Sequence, residues 1–464
     1  MSELNRDVLY LIIKELQNDK KALVSCLLVN KVFCETTVPI LWENPWKFLT
    51  LLKKYKKMLL KVIISHLSDE SRNNLNKQNL LINSYQRPLF NYIGFCKHLN
   101  FDIIQKVINT IKKKSEIPLI KNEIFKLFIN ENMKFTHLYI PKHFDYQINF
   151  VVAKQCLSEI KFFNCSTNID DNVLMGLIEI CKSIKELELC FLVHEYHNNG
   201  IGRLIETQKN LFSVSLIDYY YPTLSFDETI QNALIKHSST IHYLNITQPP
   251  IKLLSSFVNL KVLELNDKRQ VDFSWNYSLP HLQILRVKFF SEKALIDLIK
   301  STNGSLIEIK FDYCNNWFRS LEVIQAIHQS CPYLKYLKLV ITDGNILEFE
   351  KIEKILINCS YLSVLYIVAE LIYGWDVLLE ILTKSSSANL FKFKFRIIFS
   401  GPSDPTPLKL FFDNWKGKRP ILLSFDKKVS VRMEDLLKEY EAKGIIKNYN
   451  NNLCDDNDGF DLCF

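Results

Sequence analysis

Cysteine and histidine are the side chains best suited to hold a metal or attack an activated carbonyl, and this chain carries 12 of the first and 10 of the second. No two cysteines stand as C-x-x-C, the spacing that closes a zinc ribbon or finger. Thiols scattered through 464 residues indicate a reducing compartment rather than a disulfide framework. A glycine-rich phosphate loop, an H-E-x-x-H pair and a G-x-S-x-G elbow are all missing from the sequence. The histidines are dispersed, and no nucleophile, base and orienting group come together by spacing. We therefore expect a non-enzyme, with no catalytic residue, no metal and no cofactor.

Charge narrows the partners. There are 58 basic and 50 acidic residues, a formal balance of +8 spread along the chain. The lysine runs at Lys53, Lys54, Lys56 and Lys57 and at Lys112, Lys113 and Lys114 read as solvated faces rather than a nucleic-acid track. Residues 1–6 are polar and the first apolar stretch is broken by Lys14, Glu15, Asp19 and Lys20, unlike a secretory signal. No run reaches the roughly 18 apolar residues of a membrane span. The expected setting is cytoplasmic or nuclear, away from membranes.

The elements begin with Leu4, Val8, Leu9, Ile12, Ile13 and Leu16, which recur at helical spacing. After a polar break at 18–21, Leu23, Leu27, Leu28, Val29, Val32 and Phe33 repeat the period. Short helices within residues 1–48 bury little by themselves, and domains that small need a metal, disulfides or a partner. Only the partner is plausible here.

These residues carry a resemblance. Leu4-Asn5-Arg6-Asp7-Val8-Leu9, then Ile12, Leu16, Ala22-Leu23-Val24-Ser25-Cys26-Leu27-Leu28-Val29-Asn30-Lys31-Val32-Phe33 and a closing Leu41-Trp42 resemble an F-box. Asn5 stands where that family has proline, and Phe33 where it has tryptophan. The resemblance implies a helical module over 1–48 that docks on the Skp-type linker protein of a cullin-RING ubiquitin ligase, with the cullin scaffold as a further partner. Carried over by position, it implies Leu4, Val8, Ile12, Leu16, Leu23, Val29 and Trp42 as packing and linker-docking residues. The plainer alternative is an N-terminal cap on the repeats that follow.

Residues 49–134 hold helical patches, Leu59, Val62, Ile63 and Leu67, then Ile103, Ile104, Val107, Ile108 and Ile111, separated by a polar stretch at 69–79 that reads as a loop. We expect a helical spacer without a chemical site.

From residue 135 the pattern apolar-x-x-apolar-x-apolar recurs, with first positions at Phe135, Leu157, Ile184, Leu211, Ile241, Leu260, Leu282, Leu306, Leu334, Leu362 and Leu390. In Leu334-x-x-Leu337-x-Leu339 the last two leucines are two apart and share one face of a short strand. Helical stripes precede the later strands, as in Leu295, Leu298 and Ile299, and must lie against them. The units resemble cysteine-containing leucine-rich repeats. Cys181, Cys331 and Cys359 each stand three before a first position, and Cys165 and Cys314 fall at turn positions. The implied fold is α/β: a helical F-box followed by a curved solenoid over 135–426, parallel sheet inside and helices outside, then a C-terminal helix at 431–442 and a polar, acidic tail within 427–464. A loop at 267–280 with Trp275 and Tyr277 interrupts the array.

If the strands line an open concave face, the residues between their buried positions face solvent. The early units would present Glu159, Lys161, Glu186, Glu188 and Glu264. Later ones would present Arg286, Lys288, Lys310, Tyr336, Lys338, Tyr366, Lys392, Lys394 and Arg396 as candidate contacts to an unknown protein target. The competing reading is a repeat scaffold or inhibitor that binds protein without a ligase.

Overall fold

The structure, a computed structural model, describes residues 5–49, 52–76, 86–111, 113–142, 144, 146–191, 200–218, 228–247, 251–266, 277–311, 321–341, 346–369, 374–397, 404–415, 418–425 and 429–450. The chain forms two compact units: residues 1–211 with 218–220 and 227–234, and residues 212–217, 221–226 and 235–464.

The first unit opens with α1 (Arg6–Glu15), α2 (Lys20–Leu27) and α3 (Lys31–Glu43). Polar side chains start each helix: Asn5 accepts the amide of Asp7, Asp19 those of Lys21 and Ala22, and Asn30 that of Phe33. Leu9 and Ile13 turn inward from α1 to meet Leu23 and Ile40, with Leu16, Val32, Phe33 and Leu41 packed around them. Next come α4 (Lys53–Ser65) and α5 (Asp69–Asn76), the latter where a loop is expected. Arg72 explains the difference: it is buried and donates to the carbonyl of Ser65, which ends α4, and to that of Leu67 just after it, while Leu75 enters the core. One arginine closing the preceding helix holds a sequence that has no apolar period.

The unit continues with β1 (His98–Asn100), α6 (Phe101–Ile108), α7 (Ile117–Phe128), β2 (His137–Tyr139), α8 (Phe150–Leu157) and β3 (Phe162–Ser166). It ends with α9 (Asp171–Ile180), β4 (Glu186–Phe191), α10 (Gly200–Glu206) and most of α11 (Glu228–Ile235). Strands β1 to β4 pair in sequence order, all parallel. The array therefore starts at β1, one strand before residue 135, because three residues are too few for an alternation to show. The repeat set at Leu157 also sits three residues early. Leu157 ends α8, and the buried triplet is Ile160, Phe163 and Cys165, so Cys165 is a core strand residue and not a turn residue. Both triplets satisfy the apolar pattern; burial selects the second.

Hydrogen bonds join successive repeats where their helices end. Cys181 Sγ donates to the Leu157 carbonyl at 3.5 Å. Gln208 Nε2 donates to the Cys181 carbonyl at 2.9 Å, and its Oε1 accepts the Ile184 amide at 3.0 Å. Gln208→Ala leaves that buried amide and carbonyl without the side chain that joins them, and is expected to cost about 2 kcal/mol of unfolding free energy. Urea titration checks this, and an unchanged midpoint contradicts it.

The second unit holds β5 (Ser213–Asp218), β6 (Tyr243–Thr247), α12 (Ile251–Leu254), β7 (Val262–Asn266), β8 (Ile284–Lys288), α13 (Glu292–Ser301) and β9 (Glu308–Phe311). It goes on through α14 (Leu321–Ser330), β10 (Tyr336–Ile341), α15 (Ile346–Asn358), β11 (Val364–Ala369), α16 (Trp375–Ser385) and β12 (Lys392–Ile397). Last are α17 (Thr406–Asn414), β13 (Ile421–Phe425), α18 (Val431–Ala442) and β14 (Ile446–Asn450). Each strand pairs in parallel with the next, from β5 to β14. Leu334, Leu337 and Leu339 are buried as the pattern requires, and so are the stripes Leu295, Leu298 and Ile299 and Ile352, Ile355 and Leu356. The array runs on past residue 426 to β14, where Ile446 alone is buried and no alternation marks the strand. Cys314 and Trp275 lie outside the described residues.

The fold is thus an α/β repeat of parallel strands alternating with helices. Its nine described cysteines are free thiols. Among the described residues no helix is long and apolar enough to cross a membrane, and no cluster of His, Cys, Asp and Glu is arranged to hold a metal.

Candidate protein-docking surfaces

Two surfaces stand out, one in each unit. On α1 the face opposite Leu9 and Ile13 carries Val8, Leu11 and Ile12 at the i, i+3, i+4 spacing of one helical stripe, each 45 to 62 % exposed. Tyr10 is also open, and from α2 and its end come Val24, Val29 and Leu28, the last 83 % exposed. Polar links fix the helices behind this stripe: Arg6 pairs with Glu35 at 3.3 Å, and Lys14 pairs with Glu43. Exposed apolar side chains grouped on an internally packed cluster make this a candidate interaction surface.

The expected docking residues divide. Val8, Ile12 and Val29 are exposed, while Leu23 is core and Leu16 packs against that core. The Trp42 ring lies 4.7 Å from that of Tyr92 inside the same unit. Leu4 lies outside the described residues. Tyr10, Leu11, Val24 and Leu28 join the surface without having been expected as docking residues. For Leu11 the signal was present, one turn from Val8.

In the second unit the strand register brings Glu264, Arg286, Lys310, Lys338, Tyr366, Lys394 and Ser424 into one row across β7 to β13. Arg286 donates to Glu264 Oε1 at 2.6 Å and to Glu308 Oε1 at 3.0 Å, and Lys310 pairs with Glu308 at 3.4 Å. Burial draws the Arg286 guanidinium down, and Glu308 and Glu264 outweigh it, so the net displacement is upward. Burial and then the Glu264 charge push the Tyr243 phenol well above its usual range. Two acids and two bases neutralise one another here.

There the expectation of solvent-facing side chains does not hold. Tyr336, Lys338, Tyr366 and Lys394 are only 1 to 4 % exposed. Lys338 Nζ and Lys394 Nζ each lie 4.7 Å from the Tyr366 ring centroid, and Lys310 Nζ lies 4.8 Å from that of Tyr336, so the cations sit over aromatic faces. Tyr336, Val364, Tyr366 and Val368 form an apolar cluster of their own on this face. Lys288 and Arg396 are exposed, and Lys392 is half-buried. Of the early-unit acids, Glu159 pairs with Lys134 at 2.8 Å and Glu188 accepts from Asn164 at 2.7 Å. Glu308 had not been singled out, although it occupies the register position of Tyr336 in the preceding repeat.

The first unit also holds a titratable pair on β1 and β2. The rings of His98 and His137 stack at 3.7 Å, with Asn44 Nδ2 3.2 Å from His98 Nδ1. Burial first, then His137, Lys47 and Lys14, bring His98 down to about 3, and burial lowers His137 as well. A depressed histidine stabilises the fold in its neutral form, so that stability is complete above the ordinary value near 6.5 and is lost as pH falls toward about 3. The urea midpoint is expected to drop between pH 6.5 and 5, above the range of most carboxylates. His98→Gln flattens that slope; an identical slope in the variant contradicts the assignment.

The class that the fold defines is the α/β repeat protein, parallel strands alternating with helices. No protein-family model matches the chain, and no curated protein matches it either.

Proposed function

We propose that the chain is a non-enzymatic adaptor of a cullin-RING ubiquitin ligase in the cytoplasm or nucleus. Residues 1–48 act as an F-box that docks the Skp-type linker, and the repeats act as cysteine-containing leucine-rich repeats that hold a protein target for ubiquitin transfer. The observation that carries the reading is the open stripe of Val8, Leu11, Ile12, Val24, Leu28 and Val29 on a cluster whose Leu9, Ile13, Leu23 and Ile40 are already packed. Covering a half-exposed aliphatic side chain contributes on the order of 1 kcal/mol, so this set can support a specific interface once the cost of association is met.

Affinity capture of the tagged full chain from cells tests it. The expected result is recovery of the linker and cullin together with other proteins. Recovery of other proteins without linker or cullin overturns the ligase reading and leaves a protein-binding scaffold or inhibitor. Target contact is assigned to the accessible rim of the strand face. Lys288→Glu, Lys392→Glu and Arg396→Glu together are expected to change the captured proteins while linker recovery stays constant.

A further inference from the structure

In the first unit, strands β1 to β4 set two rows of side chains beside one another. The register aligns His98, His137, Phe162 and Glu186 in one row, and Tyr139, Asn164 and Glu188 in the next. Leu99, Leu138, Phe163 and Leu187 alternate with them and are buried, so both rows lie on the opposite side of the sheet. Along the first row His98 stacks on His137 at 3.7 Å and His137 on Phe162 at 5.5 Å, while Tyr139 lies 5.0 Å from Phe162. Phe162 and Tyr139 are half-buried, so part of each ring stays open. The rows thus end in two carboxylates beside two aromatic rings.

Neither carboxylate is answered by a cation among the described residues. Glu188 accepts from Asn164 Nδ2 at 2.7 Å, and Glu186 is exposed and makes no hydrogen bond or ion pair. Lys161 and Lys185, one residue ahead of Phe162 and Glu186, pair with neither. Burial pushes the Glu188 carboxyl up, against the Asn164 hydrogen bond. Burial, then Glu188 and Glu186, push the Tyr139 phenol up to about 12, so the field of both acids falls on the ring next to them.

A cation over an aromatic face is attracted by the ring quadrupole, and a carboxylate at its edge adds a charge-assisted hydrogen bond. Glu186 and Glu188 stand two residues apart along β4, roughly 7 Å, and about 4.8 Å across the sheet from Phe162 and Asn164. A guanidinium is planar with donors in a fixed fork, so it can lie flat on a ring while its edges meet both carboxylates. An ammonium has no flat face to stack.

We propose that the face formed by Tyr139, Phe162, Glu186 and Glu188 binds the guanidinium of an arginine side chain from a partner protein. The rings carry the flat face of the cation, and the carboxylates take its N–H groups. This assignment names the partner chemistry of the target-holding repeats and rests on that role, but on no residue of 1–48.

Fluorescence anisotropy of the purified full chain with labelled hexa-arginine and hexalysine peptides tests it. No linker is present, so the outcome is separate from that of the affinity capture. Hexa-arginine is expected to bind saturably and about fivefold more tightly than hexalysine. Glu186→Gln with Glu188→Gln is expected to weaken that binding about tenfold. The chain's own balance of +8 opposes non-specific uptake of a polycation. Absence of saturable binding, equal affinity for the two peptides, or a double variant that binds as the parent does, each overturns the proposal. Glu186→Gln alone changes an exposed side chain and is expected to weaken binding about threefold with an unchanged thermal midpoint, which keeps the test decisive if the double variant is unstable.

Discussion

Val8→Glu combined with Ile12→Glu is expected to lower affinity for the Skp-type linker by a hundredfold or more while leaving the thermal midpoint of the chain nearly unchanged. Both side chains are about half exposed, so their replacement removes little from the fold. In the complex each would lose its apolar contact and carry a carboxylate into a desolvated interface, together about 3 kcal/mol or more, which is two decades of affinity. Leu9 and Ile13, one residue away in sequence, are 2 and 1 % exposed and serve as the contrast. Ile13→Glu is expected to unfold the helical cluster, because it forces a charge into the core shared with Leu23 and Ile40. Calorimetric titration with purified linker, paired with thermal melts, reads both effects. Unchanged affinity in the double variant removes this stripe from the interface.

Arg286→Ala is expected to destabilise the second unit by about 2 kcal/mol, less than the loss from a fully buried ion pair because the Arg286 side chain is 37 % exposed and Lys310 also meets Glu308. The Glu308 side chain is completely buried, and its Oε1 faces both Arg286 and Lys310. Its Oε2 has no hydrogen-bond partner among the described residues, so once the guanidinium is gone Lys310, at 3.4 Å from Oε1, is the cation left to hold the charge. The double change Arg286→Met with Glu308→Leu removes the stranded carboxylate and is expected to restore most of the loss. Urea titration of the three chains reads the difference. A single variant as stable as the parent would move Arg286 out of the fold's support and back among the surface contacts.

How much of this was legible depended on periodicity. Ten of the eleven first positions, Phe135 and Ile184 to Leu390, stand two residues before the strands they announce, because parallel strands bury leucines at every second position and the helices return every 19 to 30 residues. The reading slipped at Leu157, where the end of α8 mimics the strand pattern, and it missed β1 and β14, which are too short or too polar to alternate. Helix α5 was hidden for a different reason: the Arg72 side chain anchors it through hydrogen bonds, which leave no hydropathy signal. At the surfaces, α1 was readable because its two apolar stripes are offset by one residue, Val8 and Ile12 against Leu9 and Ile13. The strand face was less so. Charged and aromatic residues at alternate positions suggest exposure, yet Lys338 and Lys394 are buried, each with its Nζ 4.7 Å from the Tyr366 ring centroid. Only neighbouring strands in register bring those three together, and single-strand periodicity does not contain that register.

Hydrogen–deuterium exchange of the purified chain, alone and with purified Skp-type linker, tests the central claim most directly. The account predicts a one-to-one complex with new protection concentrated in residues 6–29 and none across β10 to β12. A mixture in which no complex forms, or in which protection falls elsewhere while residues 6–29 exchange as before, contradicts it.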